Sequence, residues 1–242
     1  MTTAILSALA EEQQGLLELL QQPQKISHAG RDFWQGELHG QPVLLALSRI
    51  GKVAAATTAT ALIERFKVSR IVFTGVAGGM AAGVQVGDVV VATEFLQHDL
   101  DASPIFPRYE VPLYGQSRFC CDGALTALLL EASQASLQGL AVSPDTSVHH
   151  GLIASGDRFV SGAAESRALR CALQDSGHEV LAVEMEGAAV AQVCFDYGVA
   201  FAAMRTISDR ADDQAHVDFP LFVKDVASRY AQAIVQNFLK LL

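Results

Sequence analysis

Short apolar runs recur along this chain, separated by segments of helical periodicity. This alternation restricts the fold more than any other feature. The runs are residues 4–9 (AILSAL), 42–50 (PVLLALSRI), 70–76 (RIVFTGV), 88–96 (DVVVATEFL), 151–156 (GLIASG), 179–185 (EVLAVEM) and 200–207 (AFAAMRTI). Most are too short for helices and are rich in Val and Ile, as strands buried on both faces are. Helical patterns occupy 11–22, 52–66, 124–136, 166–174 and 186–198 between them. A last one, over 221–242, repeats apolar residues at Phe222, Val226, Tyr230, Ile234 and Phe238. Alternating strands and helices imply an α/β fold, a mixed sheet with helices on both faces. The 242 residues show no internal repeat, low-complexity segment or linker, so a single domain spanning 1–242 is expected. Half of the residues are hydrophobic, enough for a sizeable core.

Several function classes are disfavoured by composition. There are 26 acidic and 17 basic side chains, a net charge of −9, and no Lys/Arg run to follow a phosphate backbone, so no nucleic-acid partner is expected. The N-terminal MTTAILSALAEE has no basic leader and reads as a strand, not a signal peptide. No apolar stretch reaches the ~18 residues that span a bilayer, so no membrane partner is expected. The four cysteines include one adjacent pair and no C-x-x-C, which suits reduced thiols in or near the core of a cytoplasmic protein. Neither the histidines nor the serines form an H-E-x-x-H, a Cys/His cluster or a G-x-S-x-G. No metal or cofactor is expected.

Polar residues interrupt the apolar runs mainly at their C-terminal ends. Glu11 and Glu12 follow the first, Glu184 and Glu186 the sixth, and Arg205, Ser208 and Asp209 the seventh. In open α/β sheets, ligands bind at the carboxyl ends of strands, where these groups could converge on a polar ligand. Each acid taken alone could equally cap the helix that follows it. The turn TGVAGGM (74–80), with Val76, Ala77 and Gly78, allows close backbone approach but matches neither a dinucleotide fingerprint nor a P-loop. In SGDRFVSG (155–162), Phe159 could pack on a flat base or fill the core. The segment 101–115, DASPIFPRYEVPLYG, is too apolar for an idle loop. It reads as a packed connection, a pocket wall or a subunit contact.

Taken together, ALAEE (8–12), SRIGKVAAA (48–56), TGVAGG (74–79), QHDLD (97–101), SGDRFV (155–160), AVEMEGAAVAQVC (182–194) and RTISDRAD (205–212) resemble the bacterial 5′-methylthioadenosine/S-adenosylhomocysteine nucleosidases of the nucleoside phosphorylase superfamily. The motifs span nearly the whole chain. The resemblance implies a three-layer αβα domain with a central mixed, partly barrel-like sheet, working as a homodimer. It implies hydrolysis of the N-glycosidic bond of methylthioadenosine, S-adenosylhomocysteine and 5′-deoxyadenosine, with roles in methionine salvage and recycling of S-adenosylmethionine by-products. In that scheme Glu12 is the base that activates water and Asp209 the acid that protonates adenine N7. Glu186 and Glu184 bind the ribose hydroxyls and Met185 packs on the ribose. Phe159 packs on adenine, the backbone of Val160 reads its edge, and Arg205 and Ser208 support the water and acid sites. Ile50 and Phe219 wall the channel for the 5′-substituent, and Phe106 and Pro112 complete it from the partner subunit.

The chemistry asks for such a set. Breaking the bond leaves positive charge on the ribose and negative charge on the base. Anionic groups near the ribose and a proton donor at the base both lower the barrier. Related phosphorylases commonly place a phosphate-contacting Ser in the glycine-rich turn, where this chain has Val76, and Glu12 would repel phosphate. Hydrolysis is therefore favoured over phosphorolysis. The alternatives are a purine nucleoside phosphorylase, a 6-amino-6-deoxyfutalosine hydrolase and a non-catalytic nucleoside sensor.

Overall fold

The computed structural model describes residues 1–140, 143–211, 222 and 226–242. Among these, the expected strands form β1 (Thr3–Ser7), β4 (Gln41–Leu47), β5 (Arg70–Phe73), β7 (Val89–Gln97), β9 (Val148–Ser155), β10 (Val180–Glu184) and β11 (Ala200–Asp209). The helical patterns form α1 (Ala10–Leu19), α2 (Lys52–Glu64), α3 (Gly123–Gly139), α4 (Ala163–Asp175), α5 (Gly187–Tyr197) and α6 (Ser228–Leu241). The start of the last pattern, 221 and 223–225, lies outside the described residues, as does Phe219.

Three differences from the sequence reading have local causes. The helix read over 11–22 ends at Leu19, and residues 21–38 form the hairpin β2 (Gln21–His28) and β3 (Arg31–Leu38). β2 is almost wholly exposed and pairs only with β3 at the sheet edge, so it lacks the alternating apolar face that marks a strand. Its Pro23 is tolerated because an edge strand need not donate on both sides. The glycine-rich stretch read as a turn contains a further strand, β6 (Val76–Gly79), which runs parallel to β11 and antiparallel to β10. β8 (Arg118–Cys120) is a three-residue antiparallel addition to β7, too short to show periodicity.

The sheet order is β2-β3-β4-β1-β5-β11-β6-β10-β9-β7-β8, and β11 also pairs with β7. That extra pairing closes β11, β6, β10, β9 and β7 into a barrel, while β5, β1, β4 and the hairpin continue as an open wing. β11 spans both parts. Its first half pairs with β5 and its second half with β6 and β7, with a register shift between Ile207 and Asp209. Helices cover both faces. α2 and α5 supply Leu62, Val190 and Cys194 to one core, together with Phe73 and Phe95. α1, α3 and α6 supply Leu16, Leu129, Ile234 and Phe238 to the other. Fully burying one such side chain is worth about 1.5–3 kcal/mol, so packing more than helix propensity holds α6 to the sheet. This is the expected mixed, partly barrel-like αβα arrangement. Of the four thiols, Cys194 is buried and Cys121 half-buried, but Cys120 and Cys171 are exposed, contrary to the expectation of core packing.

Candidate active site

The carboxyl ends of β1, β10 and β11 converge with β6 on a cavity of about 440 Å³. Every described residue assigned to one subunit's own site lines it: Glu12, Ile50, Val76, Ala77, Gly78, Phe159, Val160, Glu184, Met185, Glu186, Arg205, Ser208 and Asp209. The sequence reading missed Phe73, Thr74, Gly75, Val183 and Arg158, which also line it. They are flanking residues of the same strands and loops, and apart from Arg158 carry no charge to mark them. Phe106 and Pro112 are half-buried outside this cavity.

Glu12 sits in the first turn of α1 and is 2 % exposed. Its Oε2 accepts the N–H groups of Ala8 (2.8 Å) and Leu9 (2.9 Å), and Oε1 that of Val76 (3.1 Å). Capping and a place at the cavity therefore do not exclude each other here. The carboxylate satisfies donors at the helix start and also faces the cavity. Burial raises its pKa, against the opposing pull of the Leu9 N–H and the Arg205 charge. The glycines beside it have a steric reason. A Cβ on Gly75 would stand 3.0 Å from Glu12 Oε1, and one on Gly78 would stand 2.9 Å from Asp209 Oδ1. The glycine-rich stretch thus makes room for two carboxylates.

The two glutamates around Met185 part company. Glu184, the last residue of β10, accepts from the N–H groups of Glu186 and Gly187, from Ser155 Oγ, and from Arg205 Nη2 at 2.7 Å. Arg205 is itself 1 % exposed. It donates to the carbonyls of Phe73 and Met204 and lies 4.1 Å from the centre of the Phe73 ring. Breaking a buried ion pair by removing one partner costs about 3–5 kcal/mol. Glu184→Gln is therefore expected to lower unfolding free energy by about 3 kcal/mol without any ligand present. A denaturant titration showing an unchanged midpoint would leave Glu184 a ligand contact and no anchor.

Glu186 begins α5, yet its side chain does not cap that helix. Instead Oε1 accepts the N–H of Gly51 at 2.8 Å. Burial, with the nearby Glu184 charge second, pushes its pKa up from 4.5 to about 8. The folded chain thus holds a proton that the unfolded chain releases. The stabilising contribution is complete below about pH 4.5 and declines as pH rises to about 8. The thermal midpoint of Glu186→Gln, relative to the parent, is expected to climb between these limits. The difference isolates Glu186, because the buried His98, whose pKa is lowered by burial, acts with the opposite sign in both proteins. Parallel midpoint curves would refute the assignment.

At the end of β11, Asp209 is 2 % exposed. Ser208 Oγ donates to its Oδ2 (2.8 Å) and the Ala211 N–H to its Oδ1 (2.8 Å). Phe159 and Ile50 are 42 % and 58 % exposed and flank the cavity as its apolar wall. One wall therefore offers a flat aromatic, another a group of carboxyls, of which Glu184 is paired with the Arg205 guanidinium. A neutral ligand that becomes cationic at one end and basic at the other suits that pattern.

Comparison with known proteins agrees. The family model described as the phosphorylase superfamily matches residues 2–240. A 5′-methylthioadenosine/S-adenosylhomocysteine nucleosidase from Bacillus thuringiensis (strain Al Hakam) is 38% identical over 241 residues, covering 98% of this chain and 97% of its own. Among solved structures, the nucleosidase of that description from Neisseria meningitidis, in complex with methylthio-immucillin-A, has a TM-score of 0.88 and 36% identity, covering 100% of this chain and 99% of its own. A futalosine hydrolase from Helicobacter pylori has a TM-score of 0.88 and 32% identity, with 100% and 98% covered.

Proposed function

Because this chain belongs to the phosphorylase superfamily and, within it, to the 5′-methylthioadenosine/S-adenosylhomocysteine nucleosidases, we propose that its cavity hydrolyses the N-ribosyl bond of those two nucleosides, releasing adenine and the thioribose. The observation that carries this reading is the convergence of Glu12, Glu186 and Asp209 in one largely apolar cavity. The C1′–N9 bond breaks and its electron pair leaves with adenine, which takes a proton at N7 from Asp209. Water adds at C1′ and gives a proton to Glu12. The raised pKa of Glu12 makes it a stronger base than an exposed carboxylate. Glu186 contacts the ribose hydroxyls, and the strength of that contact grows with cation character at the ribose. Glu184 serves as the anchor of Arg205 and of the α5 start. No cofactor takes part.

Adenine release in phosphate-free buffer tests this. Methylthioadenosine and S-adenosylhomocysteine are expected to turn over, and an absolute need for phosphate would identify a phosphorylase. No adenine release from any nucleoside would leave a sensor. Aminofutalosine belongs in the same assay, because a futalosine hydrolase shares the fold at equal TM-score. Inosine is expected to react poorly. Its 6-oxo group offers an acceptor where adenine offers a donor, and an unpaired buried group costs about 1–3 kcal/mol. Comparable turnover of inosine and methylthioadenosine would contradict recognition of the adenine edge beside Val160.

The homodimer belongs to the same proposal. Ile105 and Leu113 of loop 101–115 are 82 % and 90 % exposed, and Phe195 at the end of α5 is 56 % exposed. Tyr114, Phe119 and Phe195 pack edge to face, and Tyr114 Oη donates to Asp196. This links loop 101–115 to the end of α5 as one apolar surface, suited to a second copy that brings Phe106 and Pro112 to the 5′ end of the nucleoside. Burying it would gain about 25 cal/mol per Å² of apolar area. A fully active monomer in solution would refute this arrangement. The four cysteines are free, which suits a reducing compartment, and we propose that the reaction runs in the cytoplasm, in methionine salvage.

A further inference from the structure

Gly51 and Lys52 send consecutive backbone N–H groups to a cavity carboxyl and to the residue that precedes the Arg158–Val160 part of the cavity wall. That of Gly51 goes to Glu186 Oε1 and that of Lys52 to Asp157 Oδ1, both at 2.8 Å. Gly51 has φ +95°, a conformation that side chains rarely adopt. Asp157 opens the stretch 157–160 that carries Phe159 and Val160 into the cavity wall. Asp99, just beyond β7, closes the circuit. Its Oδ1 accepts from Lys52 Nζ at 2.5 Å and its Oδ2 accepts the N–H of Asp157 at 2.8 Å. Lys52 Nζ also donates to Gln97 Oε1 (3.0 Å) and lies 3.8 Å from Asp157 Oδ2. Neither Lys52 nor Asp99 lines the cavity, and their side chains are only 14% and 32% exposed.

We infer that Lys52 and Asp99 are positioning residues, tying the ribose-side carboxylate Glu186 to the purine-side stretch 157–160 so that their separation matches a nucleoside. The inference rests on the nucleosidase reading and extends it to residues that do not touch substrate. The bonds that Lys52 and Asp99 make in the circuit involve charged side chains, the stronger class of hydrogen bond. Both halves hang on adjacent residues of one chain turn. If the tie is lost, Phe159 and Glu186 move independently. A nucleoside can then satisfy the ribose contact or the base contact but not both at once, so its binding weakens.

Steady-state kinetics on methylthioadenosine for the full-length protein and the variants Asp99→Ala, Asp99→Asn and Lys52→Met tests this. Asp99→Ala is expected to lower kcat/KM by about tenfold or more, mostly through KM, with the thermal midpoint near that of the parent. Asp99→Asn keeps an acceptor for the Asp157 N–H and is expected to fall between parent and Asp99→Ala. Since both residues serve one tie, Lys52→Met/Asp99→Ala is expected to be no worse than Asp99→Ala by more than about twofold. A KM for Asp99→Ala within about twofold of the parent, or losses that multiply in the double variant, would overturn the inference. If Asp99→Ala does not fold, Asp99→Asn and Lys52→Met decide by the same criteria. A parent protein that releases no adenine would sink the nucleosidase reading and this inference with it. An active parent with indifferent variants would sink the inference alone.

Discussion

Glu12→Gln is expected to lower kcat on methylthioadenosine by about 10²–10⁴-fold, the range for losing a positioned proton acceptor. Glu12 faces the cavity with its Oε2 occupied by two backbone N–H groups and its Oε1 by one, from Val76. This leaves capacity on Oε1 for a water proton. A glutamine preserves the size. Its oxygen can keep the bonds to Ala8 and Leu9, while its amide group would meet the Val76 N–H donor to donor. A small local shift is therefore expected, offset by the removal of a buried acid whose pKa burial has already raised. The fold should survive, and binding of a substrate analogue should change far less than kcat. A variant that binds normally and turns over within about threefold of the parent would remove Glu12 from the chemistry.

Asp209→Asn is expected to produce a loss of the same order, about 10²–10⁴-fold, but one that depends on the leaving group. Asparagine fits the local bonds better than glutamine fits at Glu12. Its oxygen can accept the Ala211 N–H, while its amide donates to Ser208 Oγ, which in turn can donate to the Ala77 carbonyl 3.4 Å away. What it cannot do is give a proton to adenine N7. A methylthioriboside whose leaving group departs without protonation, such as p-nitrophenolate, should recover most of the rate in Asp209→Asn and very little in Glu12→Gln. Equal losses on both substrates in Asp209→Asn would mean that the residue positions substrate and does not act as the acid.

The contrast between Glu184 and Glu186 shows how far the chain could be read before it was folded. Two acids one residue apart at the end of an apolar strand pointed to a ligand, a helix cap or both, and nothing local chose between them. The fold divides the roles. Glu184 meets donors from its own helix start, Ser155 and Arg205, and Glu186 turns to the Gly51 N–H across the cavity. Ser155, Gly51 and Arg205 are all far away in sequence, so no pattern around residue 185 could have assigned them. The glycine-rich stretch is a similar case. Its composition announced close approach, but what approaches is the pair Glu12 and Asp209.

The strands from β1 to β11 with an apolar signature were legible because a strand buried on both faces must be apolar along its length. The polar hairpin and the three-residue β8 were not, because edge strands bury little. The sequence by itself determined the alternation of elements, the placement of the polar groups at strand ends and, through motifs in order, the family. Only the tertiary structure decided which carboxylate pairs with Arg205 and which turns to the Gly51 N–H, that β11 closes a barrel by pairing with β7, and that Asp99 bonds both Lys52 and Asp157. The reason is physical. Burial patterns and chemical types are local properties of a chain, whereas a hydrogen-bond partner, the cost of burying a charge and the distance across a cavity exist only after remote segments have met.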